Sequence, residues 1–150
     1  MEYKSNRPAI NKAIQAGIQK GLDAAAIHLQ GEIKKTLSGS SPAPHSKPPG
    51  VKTGTLRRSI QVDRSRNRGK RPVVRVGTNL QYAKIHEFGG VITPTRAKAL
   101  KFQLADGSWR TARRVVIPAR PFIRPTHARS RKKLVSIFRG AVRRELVRVK

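Results

Sequence analysis

The chain has 150 residues, with 34 Lys and Arg against 7 Asp and Glu, a net charge of +27 and no cysteine. That length suggests a single domain over residues 1–150, and the missing thiols exclude disulfides and thiolate metal sites while permitting a reducing compartment. Charge this lopsided repels itself in a folded chain and asks for a polyanionic counterpart: nucleic acid first, then an anionic membrane or an acidic protein surface. The opening "MEYKSNRPAINK" has no apolar core, so no signal peptide is expected. No apolar run approaches the ~18 residues that suggest a membrane span.

Residues 8–37 are expected to form a helix. Ile10, Ile14, Ile18 and Leu22 recur at fourfold spacing, and Ala25 and Ala26 lead on to Leu29, Ile33 and Leu37, drawing one apolar stripe. Pro8 suits the first turn. Such a helix would be roughly 45 Å long. Gly17, Gly21 and Gly31 each cost up to ~1 kcal/mol in a helix interior. They imply either a bend or close packing inside one subunit, or the close approach of a neighbouring subunit. Residues 38–54, "SGSSPAPHSKPPGVKTG", cannot continue the helix and read as a long loop, either flexible or ordered on assembly.

Residues 55–118 read as a sheet with a short helix at 80–88. "LRRSIQVD" alternates, with Ile60 and Val62 on one face, and "PVVRVGT" supplies a second strand ending at Gly77. Asn67 and Gly69 mark the turn between them, whose tip holds Arg64, Arg66, Arg68, Lys70 and Arg71. "NLQYAKIHEFGG" gives a helix with Asn79 as its N-cap and Gly89 as its stop. In "ALKFQL", Leu100 and Phe102 alternate with Lys101 and Gln103; "ADGS" is a turn and "RRVVIP" another strand. In "VVIPARPFIRP", Pro118, Pro121 and Pro125 bias the preceding residues away from helix. The strand should stop near Ile117, a stiff connector should follow, and Pro125 should open a helix over 125–149. That helix has an apolar stripe of Leu134, Phe138, Ala141, Val142, Leu146 and Val149. Arg129, Arg131, Lys132, Lys133, Arg139, Arg143, Arg144 and Arg148 fill the rest. The expected class is therefore α+β: a long N-terminal helix, an antiparallel sheet of three or four strands with a short inserted helix, and a long basic C-terminal helix.

Catalytic chemistry finds little support. His86 and Glu87 are neighbours on a helix and point ~100° apart, and Gly90 stands where a zinc-protease pattern needs a second histidine. The histidines are scattered, "GVKTGT" lacks the spacing of a phosphate loop, and nothing in the sequence makes Asp63, Glu87 and Asp106 converge. No enzyme activity, metal or cofactor is expected. The candidate nucleic-acid or polyanion contacts are Arg64, Arg66, Arg68, Lys70 and Arg71 in the hairpin, and Arg131, Lys132, Lys133, Arg139, Arg143 and Arg144 in the last helix. With 5% aromatics, phosphate-backbone contact is expected rather than base stacking.

Three segments in order, "GVKTGTLRRSI", "VGTNLQYAKIHEFGG" and "IPARPFIRP", resemble the signature order of the minor tail-component, or tail-completion, proteins of long-tailed bacteriophages. The order is also similar to the virion-morphogenesis family of contractile-tailed phages. The resemblance covers about Gly50 to Pro125. It implies a non-enzymatic subunit of a homo-oligomeric ring at the neck, joining tail to head around the DNA path; the charge by itself also fits a free basic protein that binds nucleic acid without sequence preference. Its neighbours would be proteins such as a tail terminator, stopper or tail tube. Its place would be the virion, with assembly in the host cytoplasm and no membrane. Scaffold or interface roles then fall to Gly54, Leu56, Arg57, Tyr82, Glu87, Phe88, Gly89, Arg120, Pro121 and Phe122. Gly54 would turn the loop into a strand at Leu56. Tyr82, Ile85 and Phe88 would pack the short helix on the sheet. Glu87 would pair with Arg57 or Arg120, within one subunit or between two, and Phe122 with Ile123 would pin the connector to the core while Arg120 and Arg124 stay available for ion pairs. The chain is more basic than such a family leads one to expect.

Overall fold

A computed structural model describes residues 6–40, 47–67, 71–104 and 106–149. In chain order the elements are α1 (Arg7–Thr36), α2 (Thr55–Ser59), β1 (Gln61–Arg66), β2 (Val73–Gly77), α3 (Gln81–Phe88), β3 (Gly90–Ile92), β4 (Leu100–Gln103), β5 (Trp109–Ala112), β6 (Val115–Ile117) and α4 (Arg124–Val147). The class is α+β, as the sequence leads one to expect. The sheet is divided differently. The strands pair antiparallel as three separate two-stranded ribbons, β1–β2, β3–β6 and β4–β5, rather than as one sheet of three or four. The strands are short. Helix α3 stands between β2 and β3, and the segment 93–99 with Pro94 separates β3 from β4. Proline cannot extend a ladder.

Helix α1 is the axis of the molecule. At 100° per residue Gly17 and Gly21 lie on one side of it, and Ala26, Ile33 and Leu37 on the other. Helix α4 runs antiparallel along the glycine side. Thr36 Oγ1 meets Thr126 Oγ1 at 3.0 Å near one end, and Lys20 Nζ meets Glu145 at 2.9 Å near the other. A Cβ on Gly17 would sit 2.9 Å from Val142 Cα, and one on Gly21 would sit 2.8 Å from the Phe138 ring. These two glycines therefore serve close packing inside the chain. Gly31 faces open space, with nothing within 4 Å of a Cβ placed there.

The β1–β2 ribbon lies against the other side of α1. Asn67 Nδ2 donates to the Gln19 carbonyl at 3.2 Å and to Asp23 at 3.1 Å, and Gln30 Nε2 donates to the Ile60 carbonyl at 2.8 Å. Asn67, expected at an exposed turn, is thus buried against α1; its expected turn partner Gly69 lies outside the described residues. The core gathers around Ile33, Leu37, Ile60, Ala83 and Phe122, with Leu29, Leu56, Val76, Leu80 and Ile123 packed against it.

Two local expectations are corrected. The stretch Thr55–Ser59 is a helical turn, not a strand: Gly54 adopts φ +73° and its carbonyl accepts from Arg58 N–H at 2.9 Å. Leu56 and Ile60 are one helical turn apart as well as two strand repeats apart, and the fold uses the helical spacing. Helix α3 starts after Leu80, so Asn79 is not its N-cap; the Thr78 hydroxyl accepts from Leu80 N–H at 3.1 Å just ahead of it. Gly89 ends α3 with φ +72°, and a Cβ there would lie 2.9 Å from the Ala119 nitrogen.

Denaturation of the purified chain checks the glycine packing. Gly17→Ala is expected to lower stability by about 1–3 kcal/mol through overpacking against α4. Gly31→Ala is expected to raise it by up to about 1 kcal/mol through helix propensity alone. Equal effects from the two would contradict the packing described.

Candidate assembly interface

The first turn of any helix leaves backbone N–H groups without helical partners. In α4 those groups follow "PARPF", and no capping Ser, Thr, Asp or Asn precedes the helix; Ile123 stands at the N-cap and offers no side-chain bond. The partner comes from α3. The Glu87 carboxylate accepts from Phe122 N–H at 2.7 Å, Ile123 N–H at 2.9 Å and Arg124 N–H at 2.9 Å. Arg124 Nε stands 3.5 Å away, and the Arg124 guanidinium lies over the Phe88 ring at 4.7 Å. Burial is the strongest single influence on Glu87 and pushes its carboxyl up. The three backbone donors and the Arg124 charge together outweigh burial and hold it below its ordinary value.

The rest of the connector locks onto the same place. Arg120 N–H donates to the His86 carbonyl at 2.6 Å, while the Arg120 side chain donates to the Lys47 and Pro48 carbonyls at 2.8 and 3.1 Å. Burial and the Arg120 charge lower the pKa of His86. Phe122 is fully buried in the core beside Ile60, and the Thr126 hydroxyl donates to the Phe122 carbonyl at 2.7 Å. Ser59 and Thr78 hydroxyls meet at 2.7 Å, tying α2 to the end of β2. All three sequence segments singled out above therefore converge on one node.

The node differs from expectation in its partners. Glu87 pairs with Arg124, rather than with Arg57 or Arg120; Arg57 donates instead to Ser38 Oγ at 3.2 Å. Tyr82 and Phe88 do not pack α3 on a sheet, since they are 42% and 58% exposed. The buried face of α3 is Ala83 with Glu87, one turn apart, and Ile85 is half-buried. Pro121 is half-buried, and Leu56 packs on the core edge. Arg124, expected to be available for an ion pair, finds Glu87 as its partner, while Thr126 and the buried role of Asn67 have no counterpart in the sequence reading. The signal available for Arg124 was a proline-opened helix with no cap of its own.

The two cationic zones lie on opposite sides of α1. On the ribbon, Arg64 Nε pairs with Asp23 at 3.1 Å, while Arg66 and Arg71 are exposed; Arg68 and Lys70 lie outside the described residues. On α4, Lys132, Arg139 and Arg143 share the face turned away from the buried Thr126, Ser130 and Ala141. Arg131 lies on one flank of that face and Lys133 on the other, while Arg144 is exposed near the end of the helix on the side of Thr126. Every described carboxylate is engaged within the chain. Asp23 meets Arg64, Glu32 meets Lys35, Asp63 lies by Arg75, Asp106 accepts from Ser108, and Glu145 meets Lys20 and Arg148. Most of the positive charge is left facing outward.

Among the described residues no group of three or more His, Cys, Asp or Glu could hold a metal ion, and no helix is long and apolar enough to cross a membrane. What the described residues form is a scaffold of helices and short ribbons with charged outer faces. More specifically, the chain belongs to the family described as "Bacteriophage HK97-gp10, putative tail-component", whose pattern matches residues 8–89, more than half of the chain. The matched stretch runs from α1 through α3 and includes Gly54, Glu87 and Gly89; the Ile117–Pro125 segment lies beyond it. Neither a curated protein nor a solved structure matches the chain. The chain is accordingly a structural tail-component protein of a tailed phage, with other tail proteins as its neighbours.

Glu87→Gln is expected to cost about 2–4 kcal/mol, because it removes a buried charge from three backbone donors. The folded carboxyl lies below the ordinary glutamate value of about 4.5. Its contribution is therefore full above that pH and is lost as pH falls through the folded value. Urea titrations across pH 2–7 should show a steeper acid loss in the parent than in the variant. Identical pH profiles would contradict the assignment.

Proposed function

We propose that the chain is a subunit of an oligomeric neck or tail-completion ring that joins the phage tail to the head around the DNA channel. The tail-component family match carries this reading, and two physical features support it. Closed homo-oligomers repeat one surface around an axis, so a modest basic strip on each subunit becomes a strong field on whatever passes through the ring. The outer surface also has exposed apolar side chains in paired positions, notably Val91 opposite Val116 on the β3–β6 ribbon, at 50% and 64% exposure. Trp109 stands 61% exposed on the β4–β5 hairpin, with Lys101 Nζ 5.1 Å from its ring. Exposed aromatics of this kind act as anchors in protein interfaces. The work is done by shape and interface, without catalysis.

Electron microscopy of the purified protein, alone and mixed with tails that lack it, tests the reading. The expected result is a closed ring that caps the head-proximal end of the tail. A monodisperse monomer that binds neither tails nor heads would contradict it.

A further inference from the structure

We infer that the outward face of α4, centred on Lys132, Arg139 and Arg143, is a binding surface for the phosphate backbone of duplex DNA. It goes beyond ring assembly and stands apart from it, because the surface belongs to one chain. The three side chains lie at positions i, i+7 and i+11 of one helix, along roughly 16 Å of its length. All are exposed, and none has an ion-pair or hydrogen-bond partner among the described residues. The carboxylate of α4, Glu145, is turned to the other side, where it meets Lys20 and Arg148 at 2.9 Å. Nothing on the helix neutralises the outward face.

What lies between the cations decides the kind of partner. Ser136 completes the stripe and Gly140 borders it; the exposed apolar side chains beside it are Val135 at its middle and Leu146 and Val147 past its C-terminal end. A protein interface of useful affinity needs a desolvated core with aromatic or aliphatic anchors; the span from Lys132 to Arg143 has no exposed aromatic and one exposed aliphatic, Val135, while Leu146 and Val147 lie beyond its end. A phosphate backbone needs only spaced cations, and arginine forks match phosphate oxygens two at a time. Duplex DNA presents a charge about every 1.7 Å of its axis, so a stripe of this length meets several phosphates at once. Contact of this kind fixes position and reads no sequence. The β1–β2 ribbon is the weaker candidate, because Arg64 and Arg75 there have Asp23 and Asp63 beside them.

The test is fluorescence anisotropy of a labelled mixed-sequence duplex, titrated with the full chain from 50 to 300 mM NaCl. Four chains are compared: the parent, Lys132→Gln/Arg139→Gln/Arg143→Gln, the charge-matched Arg66→Gln/Arg71→Gln/Arg75→Gln on the opposite side, and the charge-keeping Arg139→Lys/Arg143→Lys. At about 0.9 per phosphate, the α4 triple variant should flatten the slope of log K against log salt by about 2.7. It should also weaken binding at least tenfold, while the ribbon variant changes the slope by less than about 1. Arg139→Lys/Arg143→Lys should keep the parental slope, which separates charge from folding. Equal losses in the two triple variants, a larger loss in the ribbon variant, or no duplex binding at 50 mM NaCl would overturn the inference. So would displacement of the duplex by polyglutamate as readily as by unlabelled duplex at equal charge, since that would assign the face to an acidic protein.

Discussion

One carboxylate, Glu87, holds the second half of the molecule in place. It sits on α3, is almost wholly buried, and takes up three backbone N–H groups at the start of α4. A helix N-terminus carries partial positive charge and orphan donors. A buried carboxylate carries charge that needs several donors. Each is costly alone in a core and each satisfies the other. The consequence is positional: the connector 118–123 is fixed at both ends, by β6 pairing with β3 and by Glu87, with Phe122 buried between. The direction of α4, and of every cation on it, follows from that anchor.

Helix α1 supplies the second constraint. It meets α4 on one side through glycines and the β1–β2 ribbon on the other through Asn67, Asp23 and Gln30. The two cationic zones therefore belong to elements on opposite sides of α1. Carboxylates are scarce, and the described ones serve internal contacts. The net charge is thus a surface property with an orientation.

Much of the helical framework was legible in the sequence. The fourfold spacing of Ile10 to Leu22 and the proline-led start of α4 gave both long helices within a residue or two at each end, because periodicity and proline are local signals. The ribbons were less legible. Strand pairing is a long-range choice, and nothing local in Gly90–Ile92 says that it will pair with Val115–Ile117. In Thr55–Ser59 the local signal is ambiguous, because Leu56 and Ile60 satisfy both a strand and a helix repeat. Glu87 was recognised as a paired group, but its main partners are backbone donors, which no side-chain code announces. Arg57 and Arg120 were reasonable charge partners by composition. The geometry instead put Arg124 beside the carboxylate, since it lies on the helix turn that Glu87 caps.

The central claim is that Glu87 ties α3 to the first turn of α4. Amide hydrogen exchange at Phe122, Ile123 and Arg124 tests it most directly, since local protection reports whether those donors are held. The account predicts strong protection at all three in the parent, with selective loss in Glu87→Gln while the middle of α1 stays protected. Rapid exchange at these amides in the parent, or protection unchanged by the substitution, would contradict it.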